Sequence, residues 1–206
     1  MVFCIINMIK VIIFDADEVL ILGKRRFSAT LADKHGISLE KTLPFFTGIF
    51  QECLVGNADL KKVVVPYLDK WGWDKGVEML LDYWFSLESK TDKELIKYIK
   101  ELRKKGIECI LATNNEKHRF EYMMNKMGLK NVFNKTYASA HLGCKKPEQE
   151  FFAKIYRELK NIKKNEVLFV DDSKENIKGA KEFGIHTELY TSFGNFKKKL
   201  AILNKK

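Results

Sequence analysis

The chain has 206 residues, 46% of them hydrophobic and 31% charged, with only 3 prolines and 12 glycines. That composition sets aside a disordered or fibrous chain and predicts one globular domain, or a main domain with a modest insertion. A formal net charge of +10 favours anionic partners, yet the lysines are spread along the whole chain and arginine stands only at 25, 26, 103, 119 and 157, so a solvated basic surface is expected rather than a dedicated nucleic-acid face.

The four cysteines, Cys4, Cys53, Cys109 and Cys144, contain no C-x-x-C pair, which argues against a zinc ribbon or a disulfide framework and for a reducing compartment. Lys145 and Lys146 stand beside Cys144 and would lower its pKa, although an incidental thiol is the simpler reading. The apolar N-terminus, Val2 to Ile6, lacks a basic leader region and a cleavage site, and residues 1–7 read as an extension ahead of Met8. No run is long enough to cross a bilayer, so a soluble, cytoplasmic protein is expected.

The first element is the run Val11 to Phe14, four apolar residues without alternation, which predicts a strand buried on both faces. It ends in Asp15-Ala16-Asp17. If the backbone stays extended, residues two apart share a face, so Asp15 and Asp17 would converge on one spot, where repulsion raises one pKa or recruits a cation. Strand ends of open α/β sheets are where ligands bind. From Lys24 to Ser89 helical spacing dominates: Phe27 to Leu31 with a stop at Gly36, a stretch from Leu39 toward Gly56, Leu60-Val64-Leu68, and Val77-Leu80-Leu81-Trp84. All three tryptophans, Trp71, Trp73 and Trp84, lie in this block and are assigned to packing.

Thr91 to Glu94 looks like a capping box that opens a helix through Leu95, Ile99 and Leu102. Ile107 to Ala112 predicts a second buried strand, ending at Thr113-Asn114-Asn115, and a helix follows from Lys117 to Met127. Thr136 to Ser139 reads as a short third strand, and Pro147 fits the first turn of a helix carrying Phe151, Phe152 and Ile155. Glu166 to Val170 is the fourth strand and ends in Asp171-Asp172-Ser173, where Asp171 could serve as the N-cap of the next helix, which runs to Gly184. Ile185 to Tyr190 is a fifth strand before a terminal helix. The fold class is therefore α/β: a Rossmann-like parallel sheet core with helices on both faces and a small all-helical insertion. The core would comprise residues 1–22 and 90–206, and the insertion 23–89.

Parallel strands with right-handed crossovers put their C-termini along one edge. That would gather Asp15 and Asp17, Thr113 and Asn114, Lys146, and Asp171 and Asp172. These four endings, in this order, resemble the motifs of the haloacid dehalogenase-like superfamily, phosphatase branch, with a helical cap inserted after the first motif. The matching stretches are Asp15-Ala16-Asp17, Leu111-Ala112-Thr113-Asn114, Lys146-Pro147 with Phe151 behind it, and Phe169-Val170-Asp171-Asp172-Ser173 with Asn176, Gly179, Ala180 and Gly184 behind it. Glu18 departs from the pattern, standing where family members often carry Gly.

The resemblance implies a Mg²⁺-dependent phosphatase acting on a small phosphorylated metabolite such as a sugar phosphate or nucleotide. In that reading Asp15 is the nucleophile that becomes an aspartyl phosphate, and Asp17 is the general acid and base. Thr113, Asn114 and Lys146 bind the transferring group. The metal ligands are Asp15, the Asp17 carbonyl, and Asp172 with Asp171 in support. Residues 23–89 would close as a cap. Lys145 is expected to be solvated, Arg25, Arg26 and Arg119 to sit at the surface, and His35, His118, His141 and His186 to lack carboxylate partners. Other readings are a phosphomutase, a haloacid dehalogenase on the same fold, or a non-catalytic phosphate-sensing or protein-binding module.

Overall fold

The structure, a computed structural model, describes residues 9–23 and 27–203. The expectations for residues 1–7, Cys4, Arg25 and Arg26 lie outside the described residues. Five parallel strands form one sheet in the order β3-β2-β1-β4-β5, with β1 Val11–Phe14, β2 Glu108–Thr113, β3 Lys135–Ala138, β4 Val167–Asp171 and β5 His186–Leu189. β1 lies at the centre, with Phe14 in register with Leu111 on one side and Val170 on the other. Asp15 N–H donates to Val170 O at 2.9 Å and prolongs that ladder by one residue. The ends of β1, β2 and β4 therefore open onto one edge, as continuous apolar runs ending in polar residues predict.

Each sheet face has its own core. Ile12, Phe14, Leu111, Leu168 and Val170 pack against helices α7 (Lys93–Lys104), α8 (Lys117–Asn125) and α12 (Phe193–Leu203). Val11, Ile13, Ile110, Ala112 and Phe169 pack against α10 (Gln149–Arg157) and α11 (Lys174–Phe183). Burying a Phe such as Phe14, Phe151 or Phe169 completely is worth about 1.5–3 kcal/mol each. α11 comes close to the loop after Lys146 because residue 179 is glycine: a Cβ there would lie 2.4 Å from Pro147 O.

Between β1 and α7 the described chain is helical: α1 Phe27–His35, α2 Leu39–Thr47, α3 Phe50–Leu54, α4 Leu60–Val63, α5 Val65–Trp71 and α6 Gly76–Leu87. These helices enclose a separate core built on Phe27, Phe45, Trp71, Trp73, Trp84 and Phe85. All three tryptophans are packed, with Trp84 stacked on Phe27 at 4.8 Å between ring centroids. The predicted stretch from Leu39 toward Gly56 is broken at Gly48, and the predicted Leu60-to-Leu68 stretch is divided between α4 and α5. The block touches the sheet domain closely at Gly56, where φ is +77° and an added Cβ would meet Ala140 O at 2.2 Å.

Local details differ from the sequence reading. Asp92, not Thr91, caps α7, accepting hydrogen bonds from Glu94 N and Leu95 N. Both residues suit an N-cap, and Thr91 is instead engaged in an antiparallel bridge with Ile21. Pro147 precedes α10 rather than standing in its first turn, and the Lys146–Pro147 peptide is cis. Ser173, not Asp171, caps α11. Beyond Asp15 the chain leaves the ladder: Leu20 N and Ile21 N both donate to Ala16 O, closing a tight loop. Within that loop Glu18 has φ +59°. This is the left-handed region that favours glycine, which accounts for the glycine common at this position in the family pattern.

Candidate active site

At the centre of the carboxyl edge lies Lys146, whose ammonium is fully enclosed. Its Nζ is 2.6 Å from Asp15 Oδ1 and 2.9 Å from Asp171 Oδ2, and it also donates to Ala112 O at 3.1 Å. Three partners satisfy its three donors. The loop carrying it is fixed by Asn114, whose Nδ2 donates to Lys146 O and whose Oδ1 accepts from Lys146 N, both at 2.9 Å. The amide of Asn114 therefore holds the lysine loop in this structure.

Asp171 is wholly buried and its oxygens are heavily used. Oδ1 accepts from Ser173 N at 2.8 Å and Asn176 Nδ2 at 3.0 Å, while Oδ2 accepts from Lys146 and from Asn176 Nδ2 at 3.1 Å. Asp172 is exposed. One oxygen from each of Asp15, Asp171 and Asp172 lies within 4.8 Å of the others. Burial, foremost, with repulsion from Asp171 and Asp17, pushes the Asp15 carboxyl up to about 8 against the pull of Lys146. Burial and Asp171 likewise raise Asp172. Burial also disfavours the Lys146 ammonium, but Asp15 and Asp171 outweigh it and its pKa is raised. Three converging carboxylates with one ammonium between them are a hard-oxygen donor set that fits a divalent cation such as Mg²⁺.

Asp15 and Asp17 do not meet at one partner. Asp15 Oδ1 accepts from Ala16 N at 2.7 Å as well as from Lys146, and among the described residues its Oδ2 takes no hydrogen bond. Asp17 has other partners. Its Oδ2 accepts from Asn115 Nδ2 at 2.8 Å, and that same nitrogen donates to Thr113 Oγ1 at 2.7 Å. Its Oδ1 is 4.0 Å from Arg119 Nη2, and the Asp17 side chain is 48% exposed. Thr113 is fully buried at the end of β2.

Several side chains depart from expectation. Arg119 is buried rather than at the surface: Nη1 donates to Phe85 O at 3.0 Å, Nη2 donates to Glu88 O, and the guanidinium lies over the rings of Phe85 and Tyr122. His118 does have a carboxylate partner, Asp59 Oδ1 at 3.2 Å, reached across 59 residues of sequence. Lys145 is half-buried, its Nζ donating to Gln51 Oε1 at 2.7 Å. The Cys144 thiol is raised by burial, not lowered by its lysine neighbours. Asn115 and Arg119 are the site residues that sequence spacing does not assign. The available signal was position: Asn115 ends the polar run after β2, and Arg119 lies one helical turn beyond it.

The family model for haloacid dehalogenase-like hydrolases matches residues 9–184. Among curated proteins, D-ribitol-5-phosphate phosphatase of Bacteroides thetaiotaomicron is 27% identical over 204 residues, spanning 95% of this chain and 98% of the relative. Among solved structures, a predicted HAD-like family hydrolase from Porphyromonas gingivalis superposes with a TM-score of 0.81 at 23% identity, covering 97% of this chain and 99% of that one. A HAD family enzyme from Bacteroides thetaiotaomicron, crystallised with magnesium and inorganic phosphate, gives 0.77 at 22% identity, covering 91% and 98%. The family match runs from the first sheet residues through the acidic strand end and the helix behind it, and on that basis the chain belongs to the haloacid dehalogenase-like hydrolases.

Proposed function

We propose that the protein is a Mg²⁺-dependent phosphatase that hydrolyses a small phosphate monoester through an aspartyl-phosphate on Asp15. The observation that carries this reading is the group formed by Asp15, Asp171 and Asp172 around the enclosed Lys146. Asp15 presents an unbonded Oδ2 toward an incoming phosphorus, while its Oδ1 is held by Ala16 N and Lys146. As Oδ2 forms its bond to phosphorus, the bond from phosphorus to the leaving oxygen breaks. Asp17, on the more open side, gives that oxygen its proton. In the second half Asp17 takes a proton from water, whose oxygen displaces Asp15 and frees phosphate.

Lys146 offsets charge on the transferring group, and Thr113 and Asn114 flank it from the end of β2. Asp15, the Asp17 carbonyl, Asp171 and Asp172 would hold Mg²⁺, which when bound neutralises the phosphoryl oxygens. Residues 23–89 act as a cap over this edge, and residues 1–22 and 90–206 form the catalytic core. The name of the Bacteroides phosphatase and the magnesium and phosphate bound to the Bacteroides HAD enzyme support this assignment. Haloacid dehalogenation would leave Asp17, Asp171 and Asp172 without a task. Three cysteines among the described residues are free and buried, in keeping with action in the cytoplasm.

The test is phosphate release from an aryl phosphate with Mg²⁺. Wild type should turn over, and Asp15→Asn should lose on the order of 10³-fold or more in kcat. Equal inactivity of the two across a broad panel of phosphate esters sinks the reading, and return of the phosphate to a sugar in place of its release would mark a mutase.

A further inference from the structure

A cavity of about 760 Å³ lies in the helical block, within the ~300–1,000 Å³ of small-molecule sites. Its walls are chiefly Phe27, Leu43, Phe46, Phe50 and Trp84. Leu39 and Leu43, also in its lining, are 51% and 58% exposed. Two of its lining residues are hydrogen-bonded to side chains that stand next to the carboxylate site. Gln51, in its wall, accepts from Lys145, the neighbour of Lys146. Glu88, also in its wall, accepts through its backbone carbonyl from Arg119, which stands 4.0 Å from Asp17.

Each polar side chain of the lining except Ser28 already makes a hydrogen bond. Thr42 Oγ1 donates to Leu39 O and Thr47 Oγ1 to Leu43 O, at 3.2 and 2.9 Å. Gln51 Nε2 donates to Phe46 O at 2.7 Å, and its Oε1 is taken by Lys145. Glu88 accepts from Phe27 N and from Trp84 Nε1, both at 3.1 Å. Among the described residues no lysine or arginine lines the cavity, and Ser28 is the lining side chain without a hydrogen bond. A polyol needs several free donors and acceptors, and a second anionic group needs a cation. Spare hydrogen-bonding capacity is limited to the Ser28 hydroxyl, one N–H of Gln51 and lone pairs on the threonines and Glu88, and among the described residues no cation faces a second anionic group, whereas aromatic and aliphatic faces make up most of the wall.

We propose that this cavity receives the leaving group of the substrate, and that the leaving group is apolar, so that the preferred substrate is the monophosphate of an aliphatic or aromatic alcohol rather than of a polyol. This rests on the phosphatase reading above and specifies it. It also separates the chain from its polyol-phosphate-hydrolysing relative, whose substrate would leave its hydroxyls unpaired against Phe46 and Phe50.

The experiment compares n-octyl phosphate with D-ribitol 5-phosphate, both primary alkyl esters with similar leaving-group chemistry, on the full chain with Mg²⁺. The expected result is a kcat/KM at least about ten-fold higher for the octyl ester. Leu43→Glu, an exposed substitution, should remove about ten-fold of that advantage, read as the ratio of the two kcat/KM values within the variant. A kcat/KM for ribitol phosphate equal to or above that for octyl phosphate overturns the proposal while the phosphatase reading stands. If neither ester is hydrolysed, the phosphatase reading is left to the broad panel and binding decides the present proposal. Octylphosphonate should then change tryptophan fluorescence saturably and bind at least about ten-fold more weakly to Leu43→Glu. No saturable change, or equal binding by the two proteins, overturns it.

Discussion

Asn114 and Lys146 grip each other by both of the polar groups available to an amide: Nδ2 to O and N to Oδ1, each at 2.9 Å. A side chain that copies the pairing of one strand with another fixes the loop, and the loop fixes the ammonium between Asp15 and Asp171. Replacing Asn114 by Ala removes both bonds, at about 1 kcal/mol each, and Tm should fall by about 4–8 °C. Because the lysine then loses its setting, kcat should fall more than KM rises. A kcat within two-fold of wild type alongside the lowered Tm would assign Asn114 to stability alone.

Lys146→Met leaves two buried carboxylates facing each other without a cation. The loss should be about 3–5 kcal/mol in metal-free protein. Added Mg²⁺ should raise Tm more in this variant than in wild type, because the divalent cation then takes over the neutralisation of both Asp15 and Asp171. Thermal melts with and without MgCl₂ measure both effects.

Asp171 and Asp172 should separate cleanly. Asp171→Ala strands Asn176 and Ser173 N as well as Lys146, so it should lower Tm and Mg²⁺ response together. Asp172 is exposed and holds no such network among the described residues. Asp172→Ala should raise the Mg²⁺ concentration for half-maximal activity by about ten-fold or more while Tm moves by less than about 2 °C.

The raised pKa of Asp15 sets a sign for metal binding. With the carboxyl pushed up to about 8, the metal-free site carries a proton on Asp15 below that pH. A cation must displace this proton, so Mg²⁺ affinity should fall as pH drops from 9 to 6, approaching about ten-fold per unit once below 8. Isothermal titration in two buffers of different ionisation enthalpy should show proton release on binding at pH 7. Affinity independent of pH across this window would place the proton elsewhere.

Arg119→Met removes a buried guanidinium from the carbonyls of Phe85 and Glu88. Two bonds from a charged donor make the expected cost about 3 kcal/mol, read as a fall in Tm of about 6–12 °C. Arg119→Lys keeps the charge near Asp17 but cannot reach both carbonyls with one planar fork, so it should recover activity better than stability.

The strands and their endings were legible because burial on both faces writes itself as an unbroken apolar run, as in Val11 to Phe14 and Val167 to Val170, and the polar residue that stops the run is the one that reaches the edge. What was not legible depends on contacts between segments with no shared period. Arg119 finds carbonyls 34 and 31 residues away, and His118 finds Asp59 across 59. Neither spacing is helical or strand-like, so no pattern marks them. Asp15 and Asp17 take different partners for a local reason: Ala16 O accepts from Leu20 and Ile21, which closes the chain into a tight loop around Asp17.

Glu18, held in its left-handed turn, adds its charge to the field felt by Asp172. With Asp15, Asp17, Asp171 and Asp172 it makes five carboxylates near two cations, Lys146 and Arg119, on a protein whose overall charge is +10. Under the proposed function, the expected consequence is an order of loading: a phosphate ester arriving before the divalent ion should meet repulsion, and one arriving after it should meet a neutralised floor.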